Sequence, residues 1–167
     1  KAIEIDSKSA RAYTNRGILY KSEQLYDKAM LDFNAALNID PNYQNALLQR
    51  GKVYYTVQSD YPKAIADFEK YIAINPKDDV VFATLAVCTS KLDSKPKTIA
   101  KTIAYLTKAI EINDKDSDYY YYRGYAYMDI KDNNMALKDL NKAIELNPKY
   151  EEAYFERGNI YFDAKDY

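Results

Sequence analysis

Apolar and small residues recur at spacings of three and four along the whole chain. Tyr13, Gly17 and Tyr20 form one such set, and Leu47, Gly51 and Tyr54 the next. Phe82, Ala86 and Thr89 follow, then Tyr120, Gly124 and Tyr127, then Tyr154, Gly158 and Tyr161. A second series alternates with the first: Ala29, Phe33, Ala36; Ala64, Phe68, Tyr71; Thr102, Leu106, Ala109; Ala136, Leu140, Ala143. This spacing puts each set on one stripe of a helix. The first series predicts helices over 10–22, 44–57, 79–91, 117–130 and 151–163, and the second over 26–38, 61–73, 97–111 and 133–145. Pro41, Pro76 and Pro148 close three of the second-series helices, since proline cannot continue the hydrogen-bond ladder. Pro62 falls in a first helical turn, where there is no bond to lose. Small residues within the stripes let two helices approach closely, and aromatics fill the space around them.

The stripes return at a near-constant interval. Gly17 to Gly51 is 34 residues and Gly124 to Gly158 is 34 again; the 73 between Gly51 and Gly124 divide into 35 and 38 if Ala86 stands for a glycine. Counted from Ala10, Gln44, Asp79, Ser117 and Glu151, the stripes occupy positions 4, 8 and 11 of a first helix and 20, 24 and 27 of a second, with proline at 32. Over the whole chain this resembles the tetratricopeptide repeat family. The resemblance implies an all-α, right-handed α-solenoid of antiparallel helix pairs, each repeat packed mainly on its neighbours. The expected organisation is the end of a preceding repeat (1–9), full repeats over 10–43, 44–78, 79–116 and 117–150, and the first helix of a truncated repeat (151–167). The second repeat gains one residue near Ser59–Asp60; the third gains four around 92–98, as a longer loop or about one extra helical turn. The chain therefore reads as a window on a longer array. Its half repeats leave Ala2, Ile3 and Ile5 at one end, and Tyr154 and Tyr161 at the other, without a covering helix. Fraying or end-to-end self-association is the expected consequence.

Composition narrows the function. With 47% apolar and 29% charged residues, the 167-residue chain is globular rather than disordered. A net charge of −1 and a pI near 5.6 argue against a general nucleic-acid binder, whose affinity rests on neutralising phosphates. No apolar run approaches the roughly 18–20 residues of a membrane span. The expectation is a soluble protein, cytoplasmic or periplasmic, without membrane insertion. There is no histidine, and a single cysteine makes neither an internal disulfide nor a zinc cluster. Cys88 lies in the apolar stretch FATLAVCT and reads as a buried small hydrophobe rather than a reactive thiol. Glycines a whole repeat apart make no phosphate-binding loop. No catalytic residue, metal or cofactor is expected.

An arginine precedes every glycine: Arg16, Arg50, Arg123 and Arg157, all at position 7. Position 23 reads Asp32, Asp67 and Asp139. The third repeat departs at both places together, with Leu85 and Tyr105. This joint change predicts an Arg–Asp pair at the seam of each helix pair, replaced once by an apolar pair.

In the tetratricopeptide family, positions 2, 5, 6, 9, 12 and 13 look into a concave groove. By that resemblance the last two repeats line it with Tyr121, Tyr122, Tyr125, Phe155 and Phe162, with Met128 and Asn159, and with the acids Asp118, Asp129, Glu152, Glu156 and Asp163. The first three supply Arg11, Lys21, Lys52 and Lys91 and no acid. Two family specialisations fail residue by residue. The clamp for the carboxyl terminus of heat-shock chaperones has one counterpart in Asn15, but Leu48, Lys52, Val80 and Thr84 break the rest. An asparagine ladder like that of the O-glycosyltransferases is also missing, since position 6 reads Asn15, Gln49, Thr84, Tyr122 and Glu156. The resemblance therefore implies a non-catalytic scaffold for an extended segment of a protein or peptide partner. Its apolar, basic part would meet repeats four and five, and its acidic part repeats one to three. The alternatives are a targeting or regulatory segment of a larger enzyme, and a spacer with no groove ligand.

Overall fold

The computed structural model describes residues 9–164, so Ala2, Ile3 and Ile5 lie outside the described residues. Among the described residues nine helices follow one another: α1 (Ala10–Ser22), α2 (Tyr26–Ile39), α3 (Gln44–Val53), α4 (Tyr61–Ile74), α5 (Asp79–Ser90), α6 (Pro96–Ile112), α7 (Ser117–Asp129), α8 (Asn133–Leu146) and α9 (Glu151–Asp163). α3 runs on into a π-helical turn, Tyr54–Gln58. Starts are set by side-chain caps where the sequence supplies them. Ser9, Asp60, Asp78, Asp116 and Asp132 each accept from a backbone N–H of the first turn that follows, donors a helix cannot satisfy internally.

The chain divides into two compact units, between Pro76 and Lys77. In the first, α1 packs on α2, α2 on α3, and α3 on α4; Ala29, Phe33, Ala36, Ala46, Leu47 and Val53 form its core. In the second, α5 packs on α6, α6 on α7, α7 on α8, and α8 on α9; Tyr120, Ala136, Leu140, Ala143, Ala153 and Ile160 form one of its cores. Of the stripe residues, Phe33, Phe68, Ala86, Leu106 and Leu140 are almost wholly buried, whereas Tyr154 and Tyr161 are exposed; Met30, Val53, Ile65, Cys88 and Ile160 join the core from outside the stripes. The third repeat carries threonine at two stripe positions, and both hydroxyls are satisfied within their own helices. Thr89 donates to the Leu85 carbonyl (2.7 Å) and Thr102 to that of Thr98 (3.1 Å).

The Arg–Asp pairing is present in all three repeats that carry both residues. Arg16 grips Asp32 through two bonds (2.7 and 2.6 Å), Arg50 grips Asp67 (2.8 and 2.7 Å), and Arg123 grips Asp139 (2.7 and 2.8 Å). These forks match the planar guanidinium to the carboxylate. In the third repeat Leu85 and Tyr105 are both buried, as an apolar substitute must be. The arginines also do something the pattern did not predict. Arg50 donates to Asn34 (2.7 Å), Arg123 to Thr107 (3.1 Å) and Arg157 to Asn141 (2.8 Å), each on the second helix of the preceding repeat. Arg50 and Arg123 thus tie their own helix pair together and fasten it to its neighbour.

Candidate functional site

α7 reads SDYYYYRGYAYMD, and the helical turn sends its tyrosines in different directions. Tyr120 and Tyr127 face the α8 seam with Arg123 and Gly124. The Tyr119 hydroxyl donates to Asp79 at the start of α5 (3.0 Å), and Asn113, just after α6, donates to the same oxygen (2.9 Å). Burial, and then the bond to that carboxylate, push the Tyr119 pKa above the ordinary phenol range. These bonds fix α7 against the preceding helix pair.

Tyr121, Tyr122 and Tyr125 are left facing a cleft of about 470 Å³ within the second unit. Its floor is Ala86, Ile99, Thr102 and Leu106; its far wall is the end of α5 and the loop that follows, with Ser90, Lys91, Asp93 and Ser94; Asp129 stands at the near rim. Tyr121 is half-buried and anchors the aromatic wall. Its ring centroid is 5.3 Å from that of Tyr122, 6.5 Å from Tyr125 and 4.9 Å from Tyr150. Burial, and then the charges of Glu156 and Glu152, raise its pKa. Tyr150 is in turn hydrogen-bonded to Asp118. Tyr122 and Tyr125 remain 46% exposed, so their rings are open to a ligand.

The remaining sequence-predicted groove residues divide. Phe155 and Phe162 are exposed on α9 but do not line the cleft. Asn159 donates to Glu156 (3.2 Å), beside the exposed Glu152. Met128 is half-buried against the Tyr120–Leu140 core, so it packs inward instead of standing free beside the aromatics. Lys52 is exposed in the first unit. There Lys21 donates to Gln49, and burial followed by the charge of Lys52 lowers the Lys21 pKa. Lys91, on the third repeat, lines the same cleft as Asp129 and the tyrosines of the fourth, so the change of sign falls inside that cleft. Tyr119 and Tyr150 were not singled out in the sequence, because neither lies at a stripe or groove position.

Among the described residues no group of three or more His, Cys, Asp or Glu side chains is placed to hold a metal. Cys88 is fully buried, which pushes its thiol up to about 11. No described helix is long and apolar enough to cross a membrane.

A stack of helix pairs with an exposed aromatic cleft defines a helical-repeat protein of the interaction type. Family models described as "Tetratricopeptide repeat" and "TPR repeat" match residues 10–43 and 124–164, and the chain belongs to the tetratricopeptide repeat family. It is 25% identical over 141 residues to anaphase-promoting complex subunit 3 of Schizosaccharomyces pombe, covering 84% of this chain and 20% of that protein. It is 28% identical over 81 residues to the peptidyl-prolyl cis-trans isomerase FKBP4 of Bos taurus, covering 48% of this chain and 17% of the isomerase. The chain thus spans about a fifth of the length of these curated relatives. Among solved structures it is similar to YrrB, a TPR protein with an unusual peptide-binding site, at a TM-score of 0.86 and 24% identity, over 98% of this chain and 82% of YrrB. It is also similar to the first TPR of Spaghetti (RPAP3) bound to the HSP90 peptide SRMEEVD, at a TM-score of 0.66 and 25% identity, over 75% of this chain and 96% of that one.

Proposed function

We propose that the chain is a non-catalytic scaffold that holds an extended segment of a partner protein, and that the cleft of the second unit is its main contact. The observation that carries this reading is the aromatic wall. Tyr122 and Tyr125 lie outside the packed stripes, stay half exposed, and line a cleft within the roughly 300–1,000 Å³ of ligand pockets. Aromatic side chains on rigid helices are typical binding anchors. The peptide-bound RPAP3 repeat and YrrB support the same use of the fold. In the first unit Arg11, Lys21 and Lys52 offer positive charge to an acidic stretch, while Phe155 and Phe162 extend the apolar surface of the second.

Peptide display against the chain tests this. Selected peptides should lose binding when Tyr125 and Phe155 are both replaced by alanine, while circular dichroism shows the helices intact. Lys52→Glu with Lys91→Glu should mainly slow association, by an amount that shrinks as salt rises. Binding that ignores both pairs refutes the assignment. A second reading, a partner-binding segment of a larger enzyme, rests on the likeness to the isomerases, of which this chain matches only 17%.

A further inference from the structure

On the seam side of the helix pairs, the chain covers its tyrosines with its own cations. Arg16 lies over Tyr13 and Tyr20 at 5.6 and 5.8 Å, Arg123 over Tyr120 at 5.8 Å, and Arg157 over Tyr154 at 5.1 Å. Such stacking is favourable because the ring face carries the negative end of the aromatic quadrupole. In the cleft the same arrangement lacks its cation. Among the described residues none lies over Tyr122 or Tyr125, and Asp129 at the rim has no ion-pair partner. Tyr122, Tyr125 and Asp129 are spaced by three and four along α7, so they share one face. Two bare ring faces and a bare carboxylate, held on one rigid helix, match a planar cation with a long apolar stem.

We propose that the cleft is a receptor for a guanidinium group, an arginine side chain on the partner segment. This rests on the peptide-binding reading and names what that site selects. The arginine stem lies over the tyrosine wall, and its head meets Asp129. Guanidinium suits this place better than ammonium because it stacks flat on a ring and offers a fork to a carboxylate. Tyr121, braced by Tyr150, keeps the wall in shape before the ligand arrives. Lys91 on the opposite wall confines the guanidinium to the α7 side and leaves its own charge for an acidic neighbour in the segment. The acids Glu152 and Glu156, close enough to act on Tyr121, add to the negative potential on that side.

The probe is acetyl-Ala-Arg-Ala-amide, titrated against the isotope-labelled 167-residue chain by NMR. The comparison peptide carries citrulline, which keeps the shape of arginine and removes its charge. The arginine peptide should shift the amides of residues 121–129 saturably, with the citrulline peptide at least about tenfold weaker. Tyr125→Ala and Asp129→Asn should each weaken the arginine peptide by roughly 3- to 10-fold while leaving the dispersion of the remaining amides unchanged. Equal affinity for the two peptides, or arginine-induced shifts confined to α9, overturns the assignment. So does binding insensitive to both substitutions. A displayed peptide that depends on Tyr125 yet contains no arginine refutes the guanidinium receptor and leaves the scaffold reading standing. If no peptide engages the cleft, both fall.

Discussion

A Cβ added at Gly51 would lie 2.7 Å from Cε1 of Phe68, whereas one added at Gly158 would meet nothing within 4 Å. Gly124 is intermediate, at 3.3 Å from Leu140 and the Ala136 carbonyl. No glycine has a positive φ, so these residues serve close approach and not backbone freedom. Gly51→Ala should cost roughly 1–3 kcal/mol by forcing Phe68 aside. Gly158→Ala should gain up to about 1 kcal/mol through helix propensity alone. Urea denaturation measures both, and equal effects would refute the distinction. The arginines beside the glycines also differ from one repeat to the next, though not in step with them: Gly17, at 2.6 Å from Phe33, is the tightest of the four. Arg123 is 14% exposed against 44% for Arg16, while their aspartates are almost wholly buried. A double-mutant cycle on Arg123 and Asp139 should show coupling, with loss of either partner costing on the order of 3 kcal/mol. The Arg16–Asp32 pair should count for much less, because water reaches it.

The turns joining first to second helices follow one plan with local exceptions. The Tyr20 carbonyl accepts from Leu25 and the Tyr127 carbonyl from Asp132, each five residues on, in the manner of a Schellman closure. In the second repeat Tyr54 accepts from Asp60, six residues on, and the extra residue is taken up by the π-helical turn before it. The third repeat uses most of its insertion as helix, since α6 has 17 residues where α2, α4 and α8 have 14. The loop before α6 is held by Asp93, which bonds Thr98 and the backbone and side chain of Lys95. These bonds depress the Asp93 pKa from 3.8 to about 2. A depressed carboxylate stabilises the folded form above its unfolded pKa and loses that contribution as pH falls through the folded value. Amide signals of residues 91–95 should therefore change as pH falls from about 4 towards 2. In Asp93→Asn that transition should vanish; its persistence would assign it elsewhere.

At the scale of the molecule, the boundary between the two units falls at the start of the one repeat whose position 7 holds leucine in place of arginine. Each unit has its own core, and the aromatic cleft belongs wholly to the second. α9 also exposes Tyr154, Phe155, Tyr161 and Phe162, four large aromatic side chains on 13 residues. Tyr154 and Tyr161 occupy stripe positions that are packed elsewhere in the chain. Exposed apolar surface of this kind drives association. The 167-residue chain should sediment with a concentration-dependent mass, and Tyr154→Glu with Tyr161→Glu should return it to monomer. A monomer at all concentrations would count against this.

The sequence by itself determined the helices, their pairing and the Arg–Asp seam. Those features depend on spacings of three and four within a helix and on partners 16 or 17 residues apart, and they recur from repeat to repeat. The family resemblance placed Tyr121, Tyr122 and Tyr125 together on the groove side as exposed aromatics; Tyr122 and Tyr125 are exposed, whereas Tyr121 is half-buried beside Tyr150. Only the tertiary structure decided what meets across the cleft. Lys91 and Asp129 are 38 residues apart and share a wall-to-wall space only because α5, α6 and α7 pack together after an irregular insertion. Tyr150 reaches Tyr121, and Arg123 reaches back to Thr107, for the same reason. A periodic pattern states which side of a helix is covered. It does not state how far a side chain reaches or which neighbour it finds, and those follow from the packing of one helix against the next.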